Sequence, residues 1–122
     1  MTDRTFSVDE ANDLIPWLRE ILPRIRDSRQ VVLRGAQRIR RTAPSNGTDE
    51  RPEAYWTALS TLRRDVSEVT ERGVILRDPE TGLVDFPAER EGREVLLCWR
   101  LGEDRVAFWH GPQSGFAGRT PL

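Results

Sequence analysis

The sequence predicts an α+β fold: a long antiparallel helical hairpin, its first helix kinked at Pro16 and Pro23, followed by a four-stranded antiparallel β-meander packed on it. Three observations carry this. Apolar residues recur in steps of four and three over residues 8–41 and again over 52–72. After Gly73 the apolar period drops from about 3.6 to 2, the pattern of half-buried strands. Turn-forming residues then punctuate the second half at short intervals.

The first helix opens on FSVDEA. Ser7 is placed to cap it, Glu10 to reach back to the cap, and Phe6 and Ala11 to form a hydrophobic staple. Ala11, Ile15, Leu18, Leu22, Ile25, Val32, Ala36 and Ile39 continue as a heptad-like seam, broken once at Arg29. Pro16 and Pro23 each lack a backbone donor and crowd the carbonyl four residues back, so a bend or local break is expected. Because the seam keeps its register through both, one kinked helix over 8–41 is the expectation. Residues 42–51 form the linker, with turn formers and no large apolar side chain. The second helix covers 52–72, with Trp56, Leu59, Leu62, Val66 and Val69 as its stripe and Gly73 ending it.

The meander occupies 74–110. VILR and LVDF are short strands joined by DPETG, where Asp78 and Pro79 start a turn and Gly82 is free to take positive φ. Pro87 is expected to end the second strand, and AEREGR leads into VLLCWRL. Gly102-Glu103 suits a two-residue type II′ turn into DRVAFWH. That turn would put Val95, Leu97, Trp99 and Leu101 on the core face with Val106, Phe108 and His110. Leu96, Cys98 and Arg100 would share the other face with Arg105, Ala107 and Trp109. A one-residue slip would exchange the faces of the last strand. Residues 111–122 read as a docking tail within a single domain spanning 1–122.

Composition narrows the function. The 122 residues are 37% hydrophobic and 32% charged, enough for one cored domain. No window approaches the ~20 apolar residues of a membrane span, and residues 1–10 are polar, so a cytoplasmic protein without membrane contact is expected. The one cysteine, Cys98, excludes an intramolecular disulfide and a multi-cysteine metal site. A net charge of −1 argues against whole-surface attraction to nucleic acid. Every basic residue is arginine, which removes Schiff-base lysine chemistry.

Each candidate site residue has two readings. The sole histidine, His110, could ligate a metal or carry a proton, or it could close the end of the core face. A one-histidine site for one divalent metal ion would draw carboxylates from Asp85, Glu103 or Glu89. Asp85 is polar within an apolar strand and needs a partner, Arg77 or Arg100. It is either a salt-bridge residue or a cleft carboxylate working with His110. Glu103 is first a turn residue. Cys98 could be a thiol activated by Arg100, or a small core residue. In GPQSGFAGR, Phe116 could anchor the tail and leave Arg119 to bind an anion or carboxylate. Arg34, Arg38 and Arg41 belong to a stretch, residues 19–41, with a local net charge of +6. That stripe could meet phosphate, or it could be a solvated face paired with Asp65, Glu68 and Glu71. No aromatic side chain is interleaved there as a stacking platform.

FSVDEANDLIP, GVILRDPETGLVDFPA and VLLCWRLGEDRVAFWHGPQSGFAGR together resemble the bacterial family catalogued as domain of unknown function 2203. The resemblance spans nearly the whole chain except the linker and parts of the second helix. It implies a small bacterial cytosolic protein and carries no activity with it. The family's recurrent polar positions would fall on Asp78, Asp85, Glu103, His110 and Arg119.

Three functional expectations stand at this point, and whether the chain is an enzyme is open among them. The first is a non-catalytic binding or regulatory module acting through protein contacts as a homodimer. The second is a metal-binding protein or metal-dependent enzyme using His110 with Asp85 and Glu103. The third is nucleic-acid binding through Arg34, Arg38 and Arg41, which the net charge disfavours.

Overall fold

A computed structural model describes residues 4–41 and 52–122, with backbone alone at 38–41. The linker expected at 42–51 and the side chains of Arg38 and Arg41 lie outside the described residues. The helical half starts where the capping box puts it. Ser7 Oγ accepts the Glu10 N–H at 3.0 Å, and Glu10 Oε1 accepts the Ser7 N–H at 2.8 Å.

Helix α1 spans Val8–Asp13 and α2 spans Ile15–Arg41, so the interruption expected near Pro16 is a one-residue break rather than only a kink. The break falls at Leu14, just ahead of Pro16. Pro16 has no N–H for the Asn12 carbonyl and its ring crowds it. The turn therefore tightens: Leu14 N–H bonds Ala11 O at 3.1 Å, and the ladder resumes with Leu18 N–H to Leu14 O at 2.9 Å. Pro23, by contrast, is absorbed inside α2.

Helix α3, Glu53–Glu71, packs antiparallel to α2. Two contacts fix the direction: Gly35 meets Tyr55, and 11 residues earlier Arg24 meets Asp65. A Cβ at position 35 would collide with the Tyr55 ring, so glycine lets that ring seat between the helices. This also corrects the expected stripe. Tyr55 points in and is buried, while Trp56 is 45% exposed. Val69 is buried, and Leu62 and Val66 pack partly buried against the core as expected. Arg29, the break in the seam, reaches across to Glu80 at 2.9 Å.

The sheet is an antiparallel meander in the order β1-β2-β3-β4-β5. Its strands are Ile75–Asp78, Leu83–Arg90, Arg93–Arg100, Phe108–His110 and Thr120–Pro121. There are five strands rather than four because the end of the tail pairs with β4. Pro87 does not end β2. Its carbonyl accepts the Phe6 N–H at 2.7 Å, so its main chain points away from β3 and its missing donor costs no ladder bond. The strand runs on to a two-residue turn at Glu91 (φ 54°) and Gly92 (φ 77°), the left-handed pair that a type I′ hairpin requires.

The register of the last hairpin is also corrected. Leu96 pairs with His110, Leu97 with Trp109 and Cys98 with Phe108. No two-residue turn forms at Gly102-Glu103. Glu103 Oε1 instead takes the Arg100 N–H at 2.7 Å, and the chain between β3 and β4 becomes a longer connection. Asn12 Oδ1 anchors it through the Val106 N–H at 2.8 Å. The one-residue shift turns Trp109 inward and puts Phe108 and His110 on the outer face. Val95, Leu97 and Trp99 do face the helices, with Val84, Phe86 and Ala88 beside them in the core. Among the described residues, no helix is long and apolar enough to cross a membrane.

Candidate metal centre

The outer face of the sheet carries a polar row with one residue from each of four strands: Arg77 on β1, Asp85 on β2, Cys98 on β3 and His110 on β4. The hairpin at Glu91-Gly92 sets Asp85 directly opposite Cys98, and the β3–β4 register brings His110 two positions along from Phe108, the partner of Cys98. Asp85 and His110 are each 2% exposed, and Cys98 is 1% exposed.

Contacts within the row are close. His110 Nε2 lies 3.0 Å from Asp85 Oδ1, and Arg77 Nε donates to Asp85 Oδ2 at 2.7 Å. His110 Nδ1 lies 2.8 Å from the carbonyl oxygen of Gly111. A carbonyl can only accept, so Nδ1 carries its hydrogen and Nε2 is the ring atom left to meet a proton or a metal. If bare, Nε2 would point a lone pair at a carboxylate oxygen, a contact that needs a proton or a cation between them. Arg77 in turn holds Asp85 so that Oδ1 faces the histidine. Burial, with the Asp85 charge adding to it, pushes the Cys98 thiol up to about 12. The thiol without a metal is therefore neutral and a poor nucleophile.

One ligand atom each from Asp85, Cys98 and His110 lies within 4.8 Å of the other two. A tetrahedral zinc with bonds of about 2.0–2.3 Å spaces its ligands about 3.3–3.8 Å apart. The trio can meet such an ion with small side-chain shifts. A cavity of about 330 Å³ lies against the row, lined also by Leu83 and by tail residues from Pro112 to Phe116. The tail reaches it through Gly115 (φ 70°) and closes on its own sheet, where Leu122 N–H bonds Ala107 O at 2.9 Å. The outer face of the sheet is thus covered in part by the chain's own tail.

The structure divides the expected site residues into two groups. Asp85, His110 and Arg77 come together. Glu103 and Arg119 form a separate pair at 2.7 Å, with the Arg119 guanidinium stacked on Phe108 at 4.1 Å and Phe116 at 4.5 Å. Burial alone would raise the Glu103 pKa, but the bonds from Arg119 and the Arg100 N–H, with both arginine charges, hold it below the usual carboxylate range. Glu103 is committed there, and Cys98 takes the third place among the possible ligands.

The remaining candidates are spent or isolated. Asp78 closes its turn, accepting from Glu80 N–H at 2.9 Å and Thr81 O–H at 3.0 Å. Glu89 and Arg34 are exposed. Arg100 stacks on Phe116 at 5.0 Å rather than pairing with Asp85. Asp65 is bonded by Arg24 and Arg64. Sequence reasoning missed Cys98 as a ligand, although a signal was present: reading Glu91-Gly92 as a two-residue turn pairs Arg90 with Arg93 and so places Cys98 beside Asp85.

A family model described as an uncharacterized conserved protein (DUF2203) matches residues 4–122. No curated protein and no solved structure matches the chain.

Proposed function

Starting from the premise that the chain belongs to the DUF2203 family, we propose that it binds one divalent transition metal, zinc first, through Asp85, Cys98 and His110. The observation that carries this is the buried His110 Nε2, fixed by the Gly111 carbonyl and aimed at Asp85 beside the Cys98 thiol. A mixed N, S and O donor set suits zinc. The Nδ1–H to carbonyl bond is the usual outer support of a ligating histidine. Three protein ligands beside a cavity match a site with an exchangeable fourth position rather than a closed structural one.

Metal analysis of protein purified without a histidine tag tests this. After exposure to zinc and exhaustive dialysis, about one zinc per chain is expected, with none retained by His110→Ala or Cys98→Ser. Equal zinc in the variants, or none in the parent, would sink the reading.

A second reading, a binding module acting as a homodimer, is supported by an open apolar groove between α2, α3 and β1. Val32, Leu33, Leu62 and Val66 line it, with Leu33 43% exposed. Light scattering over a wide concentration range would then show twice the monomer mass, reduced by Leu33→Glu. A constant monomer mass removes it.

A further inference from the structure

The cavity beside the row has a charge balance that selects its occupant. A divalent metal held by one thiolate and one carboxylate is neutral overall, because the thiolate is the form that ligates. The His110 ring adds no charge as a ligand. Arg77 then leaves the site one positive charge in excess, and among the described residues no acidic side chain other than Asp85 lines the cavity. Arg77 lines the cavity and commits its Nε to Asp85, which leaves the Nη groups of a half-exposed guanidinium as further donors. Leu83, Pro112 and Phe116 supply apolar lining, beside the uncharged tail residues Gln113, Ser114 and Gly115.

Resting on the metal reading above, we infer that the cavity binds a small organic monocarboxylate, its oxygens shared between the metal's open position and the Arg77 guanidinium. Its apolar part lies against Leu83 and Phe116. Guanidinium pairs with carboxylate through directed N–H donors, while the apolar lining favours an organic acid over an inorganic anion. A volume of about 330 Å³ lies at the small end of the roughly 300–1,000 Å³ usual for ligand pockets, which suits a small acid.

Cobalt(II) makes both steps visible, since its visible absorption bands report the ligands around it. The protein is first loaded with cobalt and the uptake measured, then titrated with benzoate and, separately, with benzamide, a neutral molecule of the same shape. Benzoate is expected to shift the bands saturably and benzamide to leave them unchanged. Arg77→Gln is expected to weaken benzoate about tenfold or more. Because Arg77 also positions Asp85, Phe116→Ala supplies an independent variant. It is expected to weaken benzoate about fivefold through lost apolar contact, with acetate unaffected. Cobalt-loaded protein whose bands do not respond to benzoate, or respond equally to benzamide, overturns the carboxylate site and leaves the metal reading standing. Protein that takes up no cobalt removes both.

Discussion

Two buried aspartates, Asp65 on α3 and Asp85 on β2, have nearly the same exposure (0% and 2%) and different surroundings. Among the described residues Asp65 is closed by arginines: two bonds from Arg24 at 2.6 and 3.0 Å and one from Arg64 at 3.2 Å. Both arginines reach it from the surface, and neither an imidazole nor a thiol is among these partners. Asp85 meets one arginine, an imidazole and a thiol beside a cavity. Burial of a carboxylate is therefore no signal of function in itself. The chemistry of its partners, and whether space remains next to them, separates a clamp between helices from a site that can hold a ligand.

The largest expected difference comes from removing the sheet aspartate. Asp85→Ala should abolish zinc retention, and it strands a buried His110, so a stability loss of about 3–5 kcal/mol is expected in urea titrations. A variant that kept its zinc would erase the distinction between the two aspartates. On the helical side, Arg24→Ala leaves Asp65 buried with Arg64 as its remaining partner among the described residues. A loss of about 3 kcal/mol should follow, with zinc content unchanged. Zinc loss in Arg24→Ala would mean that the two clusters are coupled through the core.

How each aspartate reads in the sequence follows from where its partners sit. Asp85 stands out because it is polar within an apolar strand, and Arg77, on the adjoining strand, is the natural partner. His110 is conspicuous as the only histidine. What the residues did not disclose was the β3–β4 register: Gly102-Glu103 looks like a tight turn, yet Glu103 turns its carboxylate onto the Arg100 N–H and lengthens the loop. One residue of slip sent Trp109 into the core and His110 to the outer face. The helical hairpin was legible because its period repeats over many residues. An interruption at Pro16 was legible too, but its being a break at Leu14 rather than a kink was not, because the seam continues across Pro16 while the backbone ladder does not. Asp65 was legible only as an acid on the second helix. Its burial depends on the rotation set by Tyr55 seating at Gly35, a fit between helices that no local pattern encodes.

Response to pH should separate the two regions in opposite directions. Burial works against the ionisation of Asp65, but the bonds from Arg24 and Arg64 outweigh it and lower its pKa. Its contribution is thus present above the unfolded value of about 3.9 and is lost as pH falls through the folded one. Glu103, also lowered, acts in the same sense. Cys98 has the other sign. Its pKa is raised from 9.0 to about 12, so in metal-free protein its contribution is complete below 9 and lost as pH rises toward about 12. Urea midpoints should therefore fall at both ends of the pH range. Asp65→Asn should flatten the acid limb and Cys98→Ser the alkaline one. If the two variants changed the same limb, the assignment of the limbs to these residues would fail.

The smallest expected effect tests how the helical clamp divides its work. Arg64 is the immediate chain neighbour of Asp65 on α3, its side chain is 58% exposed, and its Nε contact is 3.2 Å. Arg24 comes from the other helix with two bonds, one of them 2.6 Å. A contact within one helix cannot hold two helices together, and an exposed guanidinium gives up much of its attraction to solvent. Arg64→Ala should therefore cost under about 1 kcal/mol, with Asp65 still held by the paired bonds of Arg24. If Arg64→Ala cost as much as Arg24→Ala in the same urea titration, Asp65 would require saturation from both arginines. Its closure would then depend on the number of donors rather than on the cross-helix pair.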